Sequence, residues 1–179
     1  MAMLVALMPQ PVWPQEPRSP LHSDLSQTYG YYSGQKLSIE RIQREFPTLS
    51  ARALQAQMAF NLVFKSSYEN IEKELRKLLR QQWPTYKRQM LQKLTSNLGT
   101  APISMTQADT FIRTVRLRAK GQIEPPIFET LLAYNPEFQN NPAKELLRGF
   151  KGTYRTKGHP KAKGADFQVD YPRSWRAKE

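Results

Sequence analysis

From Leu49 to Gly99 the chain reads LSARALQAQMAFNLVFKSSYENIEKELRKLLRQQWPTYKRQMLQKLTSNLG, a run with a nearly unbroken helical period. Tyr68, Ile71, Leu75, Leu78 and Gln82 fall at steps of three and four with Leu79 beside them, while Glu69, Lys73, Arg76, Lys77 and Arg80 fill the other side. That is the pattern of a helix with one buried face. Glu69 stands four before Lys73 and Glu72 four before Arg76, an order that adds only about 0.2–0.5 kcal/mol per pair but agrees with the solvent face. In the preceding segment Leu54, Met58 and Leu62 form one stripe, and Ala53, Ala56, Phe60 and Phe64 a second. An apolar arc so wide predicts a helix buried on more than one side, so residues Ala51 to Lys65 are expected to be the central helix of a bundle. Pro84 suits a first helical position, Tyr86, Met90, Leu94 and Leu98 continue as a stripe, and Gly99 supplies a stop. Three consecutive helices are expected.

The flanks are read against this core. Met1 to Met8, MAMLVALM, is a short apolar run without a preceding positive charge. It is either the second half of a signal peptide or an apolar tail, and is too short for the roughly 20 residues that span a bilayer. Five prolines between Pro9 and Pro20 exclude helix and central strand and predict a disordered, extended arm. Tyr29, Tyr31 and Tyr32 with Gly30 and Gly34 read as an aromatic turn region. Ile39, Ile42 and Phe46 predict a short amphipathic helix ended by Pro47.

Beyond Gly99, Thr106 is the expected N-cap of a helix carrying Ala108, Phe111, Ile112, Val115 and Ala119, stopped by Gly121. Pro125-Pro126 opens another with Ile127, Phe128, Leu131 and Leu132, and Asn141-Pro142 a last one with Leu146, Leu147 and Phe150. The fold class expected is all-α: an irregular bundle of six or seven helices, with a proline-rich N-terminal arm and a single C-terminal strand or extended tail. The division is 1–34 for the arm and turn region, 35–151 for the helical domain, 152–164 for a basic glycine-containing linker, and 165–179 for the start of an incomplete second domain.

In that last segment Phe167, Val169 and Tyr171 alternate with Asp166, Gln168 and Asp170, which is strand periodicity, with no partner strand in view. DFQVDYPRSWRAKE resembles the opening strand and turn of the PsbP/Mog1-like α/β sandwich domains, through Phe167, Tyr171, Pro172 and Trp175. The resemblance covers about fourteen of 179 residues and implies an N-terminal piece of a longer protein whose sheet lies elsewhere. Nothing from Met1 to Gly164 matches that family, so it assigns no site.

For chemistry, the sequence argues by subtraction. Cysteine is absent and only His22 and His159 occur, so neither a thiolate site, a histidine metal cluster nor a Ser/His/Asp set is expected. No phosphate-loop or dinucleotide glycine motif is present, and the expectation is a non-enzymatic protein without cofactor or metal. Charge is the positive signal: Lys+Arg 27 against Asp+Glu 15 leaves a formal +12, which favours polyanionic partners. Three groups of cations are the candidate binding residues. Arg76, Lys77, Arg80, Lys87, Arg88 and Lys93 lie in a stretch without acids from Leu75 to Ala108; Arg113, Arg116 and Lys120 share a helix face; Arg155, Lys157, Lys161 and Lys163 lie among glycines. Two functions follow. One is a helical interaction domain of an exported or envelope-associated protein, holding a partner protein or an anionic membrane surface with no transmembrane span. The other is a cytoplasmic protein whose basic faces track nucleic acid without reading sequence.

Overall fold

The computed structural model describes residues 20–99, 101–158 and 163–175. Seven α-helices are followed by two strands: α1 Pro20–Glu45, α2 Ser50–Leu79, α3 Trp83–Gly99, α4 Met105–Ala119, α5 Pro125–Ala133, α6 Pro136–Asn140, α7 Ala143–Leu147, β1 Lys151–Arg155 and β2 Gln168–Pro172. The chain is mostly all-α, as the periodicity requires. The apolar start and every proline of the arm except Pro20 lie outside the described residues.

The 30-residue α2 is the axis of the bundle. Its buried positions, Ala53, Ala56, Phe60, Phe64, Ser67, Ile71 and Leu75, make one continuous stripe. Ser66 and Ser67 do not break it, so the two helices expected between Ala51 and Gln82 are one. Antiparallel to it runs α1, tied by a hydrogen bond from the Tyr32 hydroxyl to Asn61 Oδ1 (2.8 Å) and by the stacking of Tyr68 against Tyr29 and Tyr32, with ring centroids 4.9 and 3.9 Å away. The tyrosine-glycine segment is therefore not a turn but the middle of α1. Leu25, Tyr29, Tyr32, Ile39 and Ile42 are all buried on one face. Their burial outweighs the roughly 1 kcal/mol that each interior glycine costs relative to alanine.

α3 lies along α1, with Met90 over Gly30 and Leu94 over Gly34. Arg41 fastens the two C-termini together by donating to the Leu98 and Ala101 carbonyls. On the other side of the axis α4 packs against α2, and Phe64 meets Phe128 of α5 and Phe150, each at 6.1 Å between centroids. The cap of α4 is Ser104 and not Thr106. Its Oγ accepts from Gln107 N while Gln107 Oε1 accepts from Ser104 N, a reciprocal capping box.

Two further expectations change. Leu54, Met58 and Leu62 are 50, 56 and 83% exposed, so the axial helix is buried along one stripe only. The second stripe points away from α1, α4 and α5. The terminal strand is also not alone. β1 pairs antiparallel with β2 from Lys151↔Pro172 to Arg155↔Gln168, so the supposed linker begins as a strand. The signal for β1 was masked because its side chains alternate polar with glycine and tyrosine, and Gly152 is there because Tyr171 lies across it. A Cβ at Gly152 would come within 2.5 Å of the Tyr171 ring.

Glu145, fully buried on α7, fixes this hairpin to the helices. Its two carboxylate oxygens accept from Ser174 N and Ser174 Oγ, both at 2.7 Å.

Candidate polyanion-binding faces

The α2–α3 junction concentrates six of the cations singled out in the sequence. At the end of α2 the chain turns through Arg80, whose φ of 46° is a conformation that a non-glycine residue rarely adopts. A short 3₁₀ turn, Arg80–Gln82, then leads into α3. The elbow brings Lys87 back to Glu72. Glu72 accepts from both Arg76 and Lys87 at 2.9 Å, joining the two helices through one carboxylate. Burial pushes the Glu72 carboxyl up, yet Lys87 and Arg76 together hold it below its ordinary value. Lys87 also stands 5.8 Å from the centroid of Trp83, a buried ring at the start of α3.

Between these groups lies a shallow depression of about 840 Å³, lined by Arg76, Trp83, Lys87, Arg88, Leu91 and neighbouring polar side chains of α3. Its three cations face one carboxylate, leaving two positive charges. Arg88 makes no ion pair among the described residues and is exposed. Of the remaining cations, Lys77 pairs with Glu74 at 2.6 Å, whereas Arg80 and Lys93 are exposed at the elbow and along α3.

The second group does not join the first. α3 packs mainly on α1 and α4 mainly on α2. Arg113 is engaged with Asp109 at 2.6 Å, and Arg52 reaches the same carboxylate at 2.5 Å. Asp109 is held below the usual carboxylate range, first by the Arg113 hydrogen bond and then by Arg52. Arg116 reaches Gln55 at 3.5 Å, and Lys120 is exposed at the helix end. A neighbour that the charge pattern did not single out, Arg118, lies 4.7 Å from the Tyr31 ring centroid and donates to Gln35. It serves the α1–α4 packing.

The third group is on the hairpin. Arg155 ends β1, Lys157 and Lys163 flank its connection, and Lys161 lies outside the described residues. Asp170 is the hairpin's matched acid: Lys151 holds it below its usual range at 2.5 Å, with Thr153 donating from beside it. Arg155, Lys157 and Lys163 make no ion pair among the described residues.

The sequence did not show the Glu72–Lys87 bridge. Fifteen residues and an elbow separate its partners, and no spacing rule connects them. Among the described residues no helix is long and apolar enough to cross a membrane, and no group of three His, Cys, Asp or Glu side chains is placed to hold a metal ion. No family model matches the chain, and neither the curated proteins nor the solved structures contain a match to it.

Proposed function

We propose that the chain is a non-enzymatic helical interaction domain that presents the α2–α3 face to an acidic partner surface, either a protein segment or anionic headgroups. The observation carrying this reading is the depression beside Trp83. Cations there stand over an apolar floor, and Glu72 offsets only one of them. Such a surface gains from long-range attraction at encounter and from apolar contact once docked.

The face is rigid. Arg76 and Lys87 are held by a shared carboxylate, and the Tyr29–Trp83 contact at 5.4 Å anchors the start of α3 in the core. Arg88, which lines the depression, is left to meet the partner, with Arg80 exposed at the elbow next to it and Lys93 exposed on another side of α3.

The test reverses only the exposed cations. Arg80→Glu, Arg88→Glu and Lys93→Glu, singly and together, leave the Glu72 bridges intact. Binding is read against an acidic polyglutamate peptide and against vesicles containing phosphatidylglycerol. The triple variant is expected to bind at least about tenfold more weakly to whichever probe the wild type prefers, with the loss shrinking at high salt. Equal binding by wild type and triple variant, or no binding by the wild type at low salt, overturns the reading.

A further inference from the structure

The hairpin is a second, separate surface. Its register sorts the side chains: Tyr154 is opposite Val169, and two positions further Thr156 N donates to Phe167 O at 3.1 Å, continuing the ladder. Tyr154, Val169 and Phe167 thus share one face, with the opposite face taken by Lys151, Thr153, Arg155, Gln168 and Asp170. The base of the hairpin is buried, at Phe150 and Pro172, but Tyr154, Val169 and Phe167 are 45, 47 and 52% exposed. An aromatic side is therefore held out from the helices near Lys157 and Lys163 of the connection, while Arg155 stands on the opposite face. Asp166 is the one acid in this outer half, so the described residues there keep a positive excess.

We infer that this ribbon is a binding site for single-stranded nucleic acid, with Tyr154 and Phe167 as stacking platforms and Lys157 and Lys163, in the connection beyond the ladder, as phosphate contacts. Cross-strand diagonal neighbours have Cα atoms about 7–8 Å apart, so each ring takes its own base. Sequence-independent binding of single strands needs aromatic faces for bases and cations following the backbone, and both are on this ribbon. Charge decides between occupants. Cations close to exposed rings match a polyanion that also offers flat bases, a pairing that lipid headgroups do not supply. This inference does not rest on the α2–α3 reading, since the residues are different.

The experiment uses the full chain and fluorescently labelled 16-mers of dT and rU, with binding read by anisotropy across a salt series. Tyr154→Leu and Phe167→Leu keep the apolar area and remove the aromatic face. Each is expected to weaken binding at least about fivefold with the salt slope unchanged. Lys157→Gln with Lys163→Gln is expected to lower the salt slope by about 1.4, the share of two phosphate contacts on a single strand. Amide exchange in β1 and β2 checks that the hairpin is still formed in each variant. Three results overturn the inference: no binding of either oligomer at low salt, leucine variants that bind like wild type, or retention by anionic vesicles without retention by the oligomers. Loss of binding in Arg88→Glu to the same degree as in the leucine variants would also overturn it, by placing the oligomer on the other face.

Discussion

Removing the buried carboxylate of Glu145 should release the hairpin while leaving the helices folded. Glu145 is fully buried, has no ion-pair partner among the described residues, and accepts two hydrogen bonds of 2.7 Å from Ser174. Hydrogen bonds to a charged group contribute about 1.5–3 kcal/mol each. Ser174→Ala strips one donor from a carboxylate that cannot reach water, and should cost about 1.5–3 kcal/mol. Glu145→Ala removes both bonds, but Ser174 is half-buried and is rehydrated in part, and burial of an unpaired charge is relieved. The net expectation is about 2–4 kcal/mol. The other ties at the hairpin base are local, namely buried Pro172, the Arg173 guanidinium 5.5 Å from the Phe128 ring centroid and Arg173 N donating to the Phe150 carbonyl at 3.2 Å, so the cost falls on a local opening and not on global unfolding. Native-state amide exchange should then show Thr153–Arg155 and Val169–Tyr171 opening of order a hundredfold more often, with α2 unchanged. A double-mutant cycle between the two positions should give a coupling of about 1.5–3 kcal/mol. Coupling under about 0.5 kcal/mol, or equal acceleration in α2, would refute the reasoning.

Other outcomes follow from the packing. Phe64→Ala, which removes a fully buried ring meeting Phe60, Phe128 and Phe150, should lower unfolding free energy by about 3–5 kcal/mol in denaturant melts. Gly30→Ala should raise stability by about 0.5–1 kcal/mol in the same assay, because the new methyl would stand 3.7 Å from Met90 Sδ, an ordinary contact, inside a helix that a glycine weakens. Burial first, and then Tyr68 and Glu69, push the Tyr32 phenol up to about 12, and burial raises Tyr68 as well. The folded state then keeps protons that the unfolded chain gives up near pH 10, so stability should be constant below that pH and fall as pH rises toward 12. Tyr32 alone accounts for roughly 2–3 kcal/mol of that loss, measurable by melts at stepped pH and by ultraviolet titration of the phenols.

α3, α4, α5 and α7 are legible because their apolar residues recur at three and four with proline and glycine as stops, whereas α2 reads as two helices and Asn135-Pro136 reads as the end of α5 although Asn135 caps a further short helix, α6. The reading of α1 failed for a reason its own residues show. Leu25, Tyr29, Tyr32, Ile39 and Ile42 keep helical spacing straight through Gly30 and Gly34, two residues whose local preference for turns is overridden by the burial of that stripe. The opposite error occurred on α2: Leu54, Met58 and Leu62 are as periodic as the buried stripe, and periodicity does not tell which of two faces finds a neighbour. For the candidate sites, charge located the cations but not their pairing. Lys77, Arg113 and Lys151 are largely spoken for by nearby acids, whereas Arg88, Lys157 and Lys163 are not. That division depends on the elbow and the hairpin register, neither of which has a local sequence signature.

The elbow also guards the wiring of the fold. Without it α2 and α3 would form one rod of about 50 residues, and α3 would leave its place along α1. Arg80 alone would favour that straightening, since its backbone holds strain of about 1–3 kcal/mol that a helical conformation would release. Pro84 opposes it: four residues on, its ring would collide with the Arg80 carbonyl in a continuous helix, at a cost of about 3 kcal/mol or more. Two straightened molecules could each lay α3 along the other's α1, so removal of the proline is expected to raise the dimer fraction with protein concentration, read by size-exclusion chromatography. Pro84→Ala is the substitution for that test, and a monomer at every concentration would show that the elbow holds without its proline.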